Sequence, residues 1–102
     1  MTIKAEHKDP DYWVYILLCN NNSYYTGYTV NLIQRYQAHV KGIGAKYTRS
    51  FPPVLLAQVW PIFGEKHHAM QIERFIKHLD RKTKQIIINN SEILEEIMIK
   101  GL

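Results

Sequence analysis

The chain has 102 residues, which is enough for one compact domain and too few for two ordinary ones. Hydrophobic residues make up 46% of it and charged residues 22%, a balance that excludes disordered and fibrous proteins. The net charge is +4, and basic residues concentrate between residues 30 and 84. This distribution favours a polyanionic partner, most simply nucleic acid, although a solvated lysine-rich surface would give the same composition.

The single cysteine and the hydropathy pattern indicate where the chain works. Cys19 cannot form an intramolecular disulfide or build a thiolate zinc site alone, which favours a reducing compartment. Residues 1–11 are mostly polar, so we expect a flexible N-terminal segment without a secretory leader, followed by a single domain from residue 12 to 102. No apolar run approaches the roughly 18 residues that cross a bilayer. We therefore predict a cytoplasmic location and no membrane partner.

The first predicted elements form a β-hairpin. Tyr12–Cys19 is nearly continuously apolar and rich in aromatic and branched side chains, which predicts a strand buried on both faces. Residues 20–23 predict the turn, and Tyr24–Tyr28 predicts the returning strand. Gly27 lies inside that second strand, so it indicates either a bulge or a close approach by another group.

A helix and a loop follow the hairpin. Asn31 is a suitable N-cap, and Gly42 a suitable terminator, for a helix that carries Arg35 and His39 on one broad face. The stretch from Gly42 to Arg49 then predicts a flexible basic loop, and two consecutive prolines exclude a helix just beyond it.

The rest of the chain predicts one more strand and further helical segments. The strand covers Val54–Trp60 and stops at Pro61, and an amphipathic helix covers about Glu65–Leu79. Two short helical turns are predicted at Thr83–Asn89 and Ser91–Lys100, the second capped by its own first residue. The order β-β-α-β-α-α predicts an α+β fold in which a small antiparallel three-stranded sheet is flanked by helices.

Five side chains could together handle phosphate. They are Tyr15 and Tyr25 in the two strands, Arg35 and His39 in the first helix, and Glu73 in the long helix. All of them except Arg35 also have an ordinary structural explanation. Strand tyrosines usually pack with the hydroxyl group bonded to a neighbour, and a lone inward histidine is more often a satisfied core residue. Glu73 can form an i, i+4 ion pair with Lys77.

These residues, in this order, resemble the GIY-YIG nuclease superfamily, and specifically its small stand-alone, single-domain bacterial branch (UPF0213-like). The two signatures read Trp13-Val14-Tyr15 and Tyr25-Thr26-Gly27, and the pattern continues with Arg35-Tyr36-Gln37-Ala38-His39, Gly44-Ala45-Lys46-Tyr47-Thr48-Arg49 and Glu73. The resemblance spans roughly residues 12 to 87. Three positions depart from the family pattern: Trp13 replaces the first glycine, Thr26 replaces the isoleucine, and Tyr28 stands where many repair nucleases carry a lysine.

The resemblance implies a metal-dependent endonuclease that hydrolyses DNA phosphodiester bonds, structure-selective and acting in repair or recombination. Tyr15 would act as the general base and Tyr25 would orient the attacking water. Arg35 would stabilise the transition state, and His39 would contact the phosphate or relay a proton. One divalent cation, Mg²⁺ or Mn²⁺, would bind Glu73. Because a phenol ordinarily has a pKa of about 10, Arg35 or the cation would have to stabilise the phenolate.

The glycine-rich loop would supply contacts to the nucleic-acid backbone through Lys46, Tyr47 and Arg49, unless it is only a solvated surface loop. The expected partner is DNA, with no small-molecule cofactor, and the expected state is a monomer or a weak homodimer. The alternative function is a non-catalytic nucleic-acid-binding module of the same fold, which the missing lysine after Gly27 favours. A structural adaptor that uses the acidic C-terminal helix is a third alternative.

Overall fold

The computed structural model describes residues 8–101. Its elements, in chain order, are β1 (Tyr12–Cys19), β2 (Tyr24–Thr29), α1 (Leu32–Val40), α2 (Lys46–Ser50), β3 (Pro53–Ile62), α3 (Lys66–Lys77), α4 (Arg81–Asn89) and α5 (Ser91–Lys100). The three strands form one antiparallel sheet in the order β2-β1-β3. The predicted α+β fold, with a three-stranded antiparallel sheet and flanking helices, is confirmed. No helix within residues 8–101 has the length and apolar composition needed to cross a membrane.

The central strand β1 explains why its sequence is almost continuously apolar. It pairs with β2 on one side and with β3 on the other, and residues 14 to 17 are all buried. Val14 and Ile16 belong to the main hydrophobic cluster, together with buried residues of β3, α3, α4 and α5. Because side chains alternate along a strand, Tyr15 and Leu17 lie on the opposite face of the sheet. One strand therefore supplies both the core and a buried tyrosine behind it.

Gly27 allows Tyr15 to approach β2. The two residues are directly opposite each other in the ladder between β1 and β2, whose register is continuous, so Gly27 does not mark a bulge. A Cβ atom added at Gly27 would overlap the hydroxyl group of Tyr15 and would lie only 2.6 Å from its Cζ atom. Of the two explanations that the sequence left open for this glycine, close approach by another group is the right one.

The boundaries of α1 match the prediction. The side chain of Asn31 accepts a hydrogen bond from the backbone N–H of Gln34 at 3.0 Å, as an N-cap should. Gly42 ends the helix with a φ of +79°, a conformation that glycine adopts without strain, and its N–H donates to the carbonyl oxygen of His39 at 3.1 Å. With both ends fixed, the rotation of α1 is fixed, and so are the directions of Arg35 and His39.

The region predicted as a flexible loop is only partly irregular. Residues 42–45 connect the helices, but Lys46–Ser50 forms the short helix α2, so the loop prediction is wrong for residues 46–49. A helix of five residues is too short to show hydrophobic periodicity, and it is too short to be stable alone. Tertiary contacts hold it instead, above all those of the fully buried Thr48.

Strand β3 is longer at both ends than predicted. It runs from Pro53 to Ile62, so the prediction that it stops at Pro61 is wrong. Within the described part of the chain, β3 pairs with β1 alone and forms an edge of the sheet. A proline is tolerated on an edge strand because its missing N–H can face away from the ladder.

The C-terminal region forms two helices of nine and ten residues where two short turns were predicted. Asp80 caps α4 by accepting a hydrogen bond from the backbone N–H of Thr83 at 2.8 Å. The prediction that Ser91 caps the last helix is wrong, because Ser91 is the first residue inside α5. Its carbonyl oxygen accepts a hydrogen bond from the indole Nε1–H of Trp60 at 2.9 Å, which attaches α5 to the sheet.

The predicted flexible segment 1–11 falls largely outside the described residues, since residues 1–7 are not among them. Asp11, at the end of that segment, makes two hydrogen bonds at the C-terminal end of β3. Its backbone N–H donates to the carbonyl oxygen of Ile62 at 2.9 Å, and its carboxylate accepts from the N–H of Gly64 at 2.7 Å. Within the described residues, tertiary contacts therefore begin before the first strand.

Candidate active site

A small open pocket of about 310 Å³ lies where β1, β2, α1 and α3 meet. It is lined by Tyr15, Tyr25, Gly27, Tyr28, Thr29, Arg35 and Glu73. The structure thus brings together four of the five side chains that the sequence singled out, including the carboxylate that is distant in sequence. The fifth, His39, lies behind the pocket in the interior.

The strand register explains why the two tyrosines meet. Tyr15 is opposite Gly27, and Leu17 is opposite Tyr25, in the antiparallel pair of β1 and β2. Positions two residues apart on one strand share a face, so Tyr15 and Tyr25 are diagonal neighbours on the same face of the sheet. The hairpin alone therefore fixes the spacing of the two phenols.

Behind the pocket, a chain of buried polar groups runs from β1 to α2. The hydroxyl oxygen of Tyr15 is 2.7 Å from Nε2 of His39, and Nδ1 of His39 is 2.7 Å from Oγ1 of Thr48. The hydroxyl group of Thr48 donates to the carbonyl oxygen of Ala45 at 3.2 Å. His39 and Thr48 are both 0% exposed, so His39 has no surface that could contact a phosphate directly. A proton relay through Tyr15 is the role that this position leaves open to it.

Burial keeps both members of the Tyr15–His39 pair neutral. Burial raises the pKa of Tyr15 to about 12, and the nearby guanidinium group of Arg35 only partly opposes this shift. Burial, with a smaller contribution from the charge of Arg35, lowers the pKa of His39 to about 4. In the resting protein, desolvation of the phenol therefore outweighs the neighbouring charge of Arg35, and stabilisation of a phenolate by Arg35 or the cation stays a prediction.

Glu73 satisfies both of the explanations that the sequence left open. Its carboxylate lines the pocket, and one of its oxygens is 3.5 Å from Nζ of Lys77, the i, i+4 partner. The side chain of Glu73 is 19% exposed, whereas that of Lys77 is 49% exposed. Such a half-exposed helical pair contributes only about 0.3–0.5 kcal/mol to stability, so Lys77 does not commit the carboxylate to a structural role.

The donor set fits a weakly held divalent cation. Among residues 8–101, no group of three or more His, Cys, Asp or Glu side chains could hold a metal ion by itself. Mg²⁺, however, is commonly bound through one or two carboxylates while it keeps several waters and binds substrate phosphates. The single carboxylate of Glu73, with phenol hydroxyl groups in the same pocket, fits this open way of binding Mg²⁺. It does not fit a closed site in which the protein supplies every ligand.

The three predicted nucleic-acid contacts all lie on α2. Lys46 and Arg49 are exposed, as a contact with a phosphate backbone requires. Tyr47 is 39% exposed, but its hydroxyl group hydrogen-bonds with Ser23 in the turn of the hairpin, and its ring stacks on that of Tyr25 with centroids 6.1 Å apart. Tyr47 therefore connects α2 to the hairpin and supports Tyr25, while its predicted contact with nucleic acid stays a prediction.

Two further residues shape the site; both belong to the sequence pattern of residues 44–49, but neither was among the predicted site residues. Thr48 binds Nδ1 of His39, but it falls in the stretch that the sequence presents as a loop. Gly44 makes room for the same imidazole, because a Cβ atom there would lie 2.8 Å from both the backbone nitrogen and Nδ1 of His39. The glycine was a visible signal, but the sequence does not reveal which group it accommodates.

Comparison with known proteins shows the family to which the chain is similar. The GIY-YIG catalytic domain matches residues 11–86. A UPF0213 protein of Halalkalibacterium halodurans is 42% identical over 79 residues, covering 78% of this chain and 83% of the relative. A UPF0213 protein of Clostridium perfringens is 45% identical over 84 residues, covering 82% and 89%. The solution NMR structure of a UPF0213 protein from Bacillus halodurans, 42% identical, covers 76% of this chain and 82% of the other with a TM-score of 0.49.

GIY-YIG nucleases act on nucleic acid and generally use a divalent metal ion. The matched domain covers most of the chain, and the relatives are matched over most of their own length. The chain therefore belongs to the GIY-YIG nuclease family, within its UPF0213 group.

Proposed function

We propose that this chain is a metal-dependent endonuclease that hydrolyses phosphodiester bonds in DNA, within a single domain spanning residues 12–102. One observation carries the proposal. Tyr15, Tyr25, Arg35 and Glu73 line one pocket, although Glu73 lies far from the others in sequence. Phosphodiester hydrolysis needs an activated water and a counter to the charge that grows on the phosphoryl oxygens, and these four side chains supply groups for both.

Tyr15 and His39 move the proton of the attacking water. The oxygen of Tyr15 accepts a proton from the water while its own hydroxyl proton passes to Nε2 of His39, 2.7 Å away. The pair is neutral before the reaction, because the pKa of Tyr15 is raised and that of His39 is lowered. A concerted transfer therefore avoids forming a free phenolate, which would be costly in this buried position.

Arg35 and Tyr25 act on the substrate and the water. The guanidinium group of Arg35 has a planar fork that matches two phosphoryl oxygens, and it stabilises the negative charge that builds up on them. The hydroxyl group of Tyr25 holds the attacking water beside Tyr15, with which it shares one face of the hairpin. Stacking of Tyr47 on Tyr25 limits the motion of that ring.

The carboxylate of Glu73 would hold the divalent cation, Mg²⁺ or Mn²⁺. When bound, the cation supplies positive charge for the phosphoryl and leaving oxygens. To bind the cation, Glu73 would give up its ion pair with Lys77, which is weak. The exposed Lys46 and Arg49 hold the DNA backbone beside the pocket. Contacts with the backbone carry no direct sequence information, which favours selection of DNA by its shape, as in repair or recombination.

A cleavage panel with a matched charge control tests the proposal. Nicked, branched, single-stranded and double-stranded DNA are incubated with Mg²⁺ or Mn²⁺ and the parent, Glu73→Gln or Glu96→Gln. Glu96 is an exposed carboxylate on α5, which does not line the pocket. We expect the parent and Glu96→Gln to cut at least one substrate and Glu73→Gln to leave it intact. A Glu73→Gln variant that cuts as fast as the parent would refute the metal role.

The second candidate is a DNA-binding module without catalysis. One observation favours it: Tyr28, which stands where many repair nucleases carry a lysine, lines the pocket, so a hydroxyl group takes the place of an ammonium group there. This candidate requires that the parent bind DNA in a salt-sensitive way, that Glu73→Gln bind equally well, and that neither protein cleave any substrate in the panel.

A further inference from the structure

We propose that Thr48 is a positioning residue that fixes the proton of His39 on Nδ1, so that Nε2 can accept the hydroxyl proton of Tyr15. The catalytic consequence of this assignment rests on the proposed nuclease function. The protonation state itself is a property of the free protein and can be measured without substrate.

The contacts of His39 define the problem. Nδ1 is 2.7 Å from Oγ1 of Thr48, and Nε2 is 2.7 Å from the hydroxyl oxygen of Tyr15. Among residues 8–101, no other side chain hydrogen-bonds to Nδ1, and a Cβ atom at Gly44 would already lie 2.8 Å from it. The position of the ring proton is therefore decided by these two hydroxyl groups, since the proton on one ring nitrogen depends on the partner of the other.

Two arrangements of protons are conceivable along this chain. In the first, Tyr15 donates to Nε2, Nδ1–H donates to Thr48, and Thr48 donates to the carbonyl oxygen of Ala45 at 3.2 Å. In the second, Thr48 donates to Nδ1 and Nε2–H donates to Tyr15. Thr48 then has no proton left to donate to the carbonyl oxygen of Ala45, and that hydrogen bond is lost. The first arrangement makes three hydrogen bonds where the second makes two, and a buried polar chain favours the larger number.

The local structure of α2 supports the first arrangement. Ala45 is the N-cap residue of α2, and Thr48 lies three residues later, the spacing at which a helical threonine donates to the backbone carbonyl behind it. Thr48 has a single hydroxyl proton. Once that proton is on the bond to Ala45, the oxygen of Thr48 can only accept, and Nδ1 must carry the hydrogen.

The consequence for proton transfer is direct. A proton leaves the attacking water for the oxygen of Tyr15, and the hydroxyl proton of Tyr15 moves to Nε2 of His39. His39 becomes an imidazolium whose Nδ1–H remains on Thr48, so no proton passes to Thr48. With the opposite tautomer, Nε2 already carries a hydrogen and cannot receive one. Thr48 thus acts through His39 and touches neither the DNA nor the reacting atoms.

The tautomer of His39 is measured first, by ¹⁵N NMR of the imidazole nitrogens in the free parent, Thr48→Val and Thr48→Ser proteins at neutral pH. His39→Gln identifies the signals of this ring by their loss. We expect a protonated Nδ1 in the parent and in Thr48→Ser, and a protonated Nε2 in Thr48→Val, which has the shape of threonine but no hydroxyl group. A protonated Nε2 in the parent would overturn the proposal, whether or not the valine variant folds.

Cleavage kinetics with Mg²⁺ then test the consequence. Thr48→Val should lower kcat about 10- to 100-fold, the range expected for a lost hydrogen bond to a group that becomes charged, with KM unchanged. Thr48→Ser should restore most of the rate. Thr26→Val is the matched control, because Thr26 is a buried threonine opposite Ile16, on the face of the sheet away from Tyr15.

Three outcomes separate this proposal from the proposed function. Equal loss of rate in the valine and serine variants, with the parental tautomer in both, would reduce Thr48 to a packing role and overturn the assignment. Rescue by serine together with the tautomer change in valine would support it. If the parent cleaves nothing in the DNA panel, the proposed nuclease function fails, and the tautomers of the three free proteins still decide the assignment to Thr48.

Discussion

Replacement of Gly27 by alanine isolates the contact between β2 and Tyr15. In a strand without special contacts, Gly→Ala stabilises a protein by about 0.5–1 kcal/mol, because alanine has less conformational freedom to lose. Here the new Cβ atom would lie 2.6 Å from Cζ of Tyr15, whereas ordinary contact begins at 3.4 Å. The ring must therefore retreat by roughly 1 Å, which costs about 1–3 kcal/mol in a well-packed interior.

The same retreat breaks the link from Tyr15 to His39. Their hydrogen bond is 2.7 Å long, and an increase of roughly 1 Å takes it beyond the distance at which a hydrogen bond exists. Loss of that bond adds about 1 kcal/mol, so Gly27→Ala should destabilise the fold by about 2–4 kcal/mol. For a domain of this size the melting temperature should fall by about 10 °C or more.

Thermal and urea denaturation of four proteins provide the assay: the parent, Gly27→Ala, Tyr15→Leu and the double variant. Leucine lacks the distal ring atoms and the hydroxyl group that the new Cβ would meet, so Gly27→Ala should cost little in the Tyr15→Leu background. The coupling energy of this cycle should approach the full cost of the single glycine change. An alanine variant as stable as the parent, or more stable, would refute the reasoning, because the sign of the effect depends on the contact alone.

Three further predictions concern the buried pair and the basic surface. Tyr15→Phe should lower the DNA cleavage rate by about 10²- to 10⁴-fold while DNA binding persists, since only the proton-accepting hydroxyl group is lost. Because the pKa of His39 is lowered to about 4 in the fold and is about 6.5 when unfolded, its contribution to stability is complete above pH 6.5 and is lost as the pH falls towards 4. Between pH 6.5 and pH 4, the free energy of unfolding should therefore fall by roughly 3 kcal/mol less in His39→Gln than in the parent, measured by urea denaturation. Lys46→Ala and Arg49→Ala should each reduce the slope of log binding constant against log salt concentration by about 0.7–0.9, measured by fluorescence anisotropy with labelled DNA.

Each of these three predictions has a contradicting result. Parental cleavage by Tyr15→Phe would remove the phenol from the mechanism. Identical acid sensitivity in the parent and His39→Gln would mean that carboxylates alone account for acid unfolding. An unchanged salt slope in both α2 variants, with Lys100→Ala on α5 as the control for a distant basic residue, would place the DNA elsewhere on the surface.

The parts of the fold that the sequence predicts are those governed by local rules. The caps at Asn31 and Gly42, the hairpin, and the shared face of Tyr15 and Tyr25 follow from short-range chemistry and from strand alternation. The pocket required one step more, the convergence of Glu73 from a distant helix, and the family resemblance supplied it. The predictions of the caps and of the hairpin needed no knowledge of how helices pack on the sheet.

The parts that the sequence could not predict depend on tertiary contacts. Helix α2 has too few residues for a periodic pattern and is held by Tyr47 and Thr48, so its partners had to be known first. Continuation of β3 through Pro61 depends on its place at the edge of the sheet. The raised pKa of Tyr15 likewise reflects the burial of its hydroxyl group. The sequence shows that Arg35 is present but not how deeply the phenol is buried.

Helix α2 also limits how the chain can vary in length. Surface connections usually tolerate insertions and deletions, and residues 42–45 form such a connection between two helices. Here the next helix presents Lys46 and Arg49 outward while Thr48 reaches Nδ1 of His39 inward. One added residue would rotate or displace both faces together, so this short connection should be as constrained in length as the strands themselves, unlike the other turns of the domain.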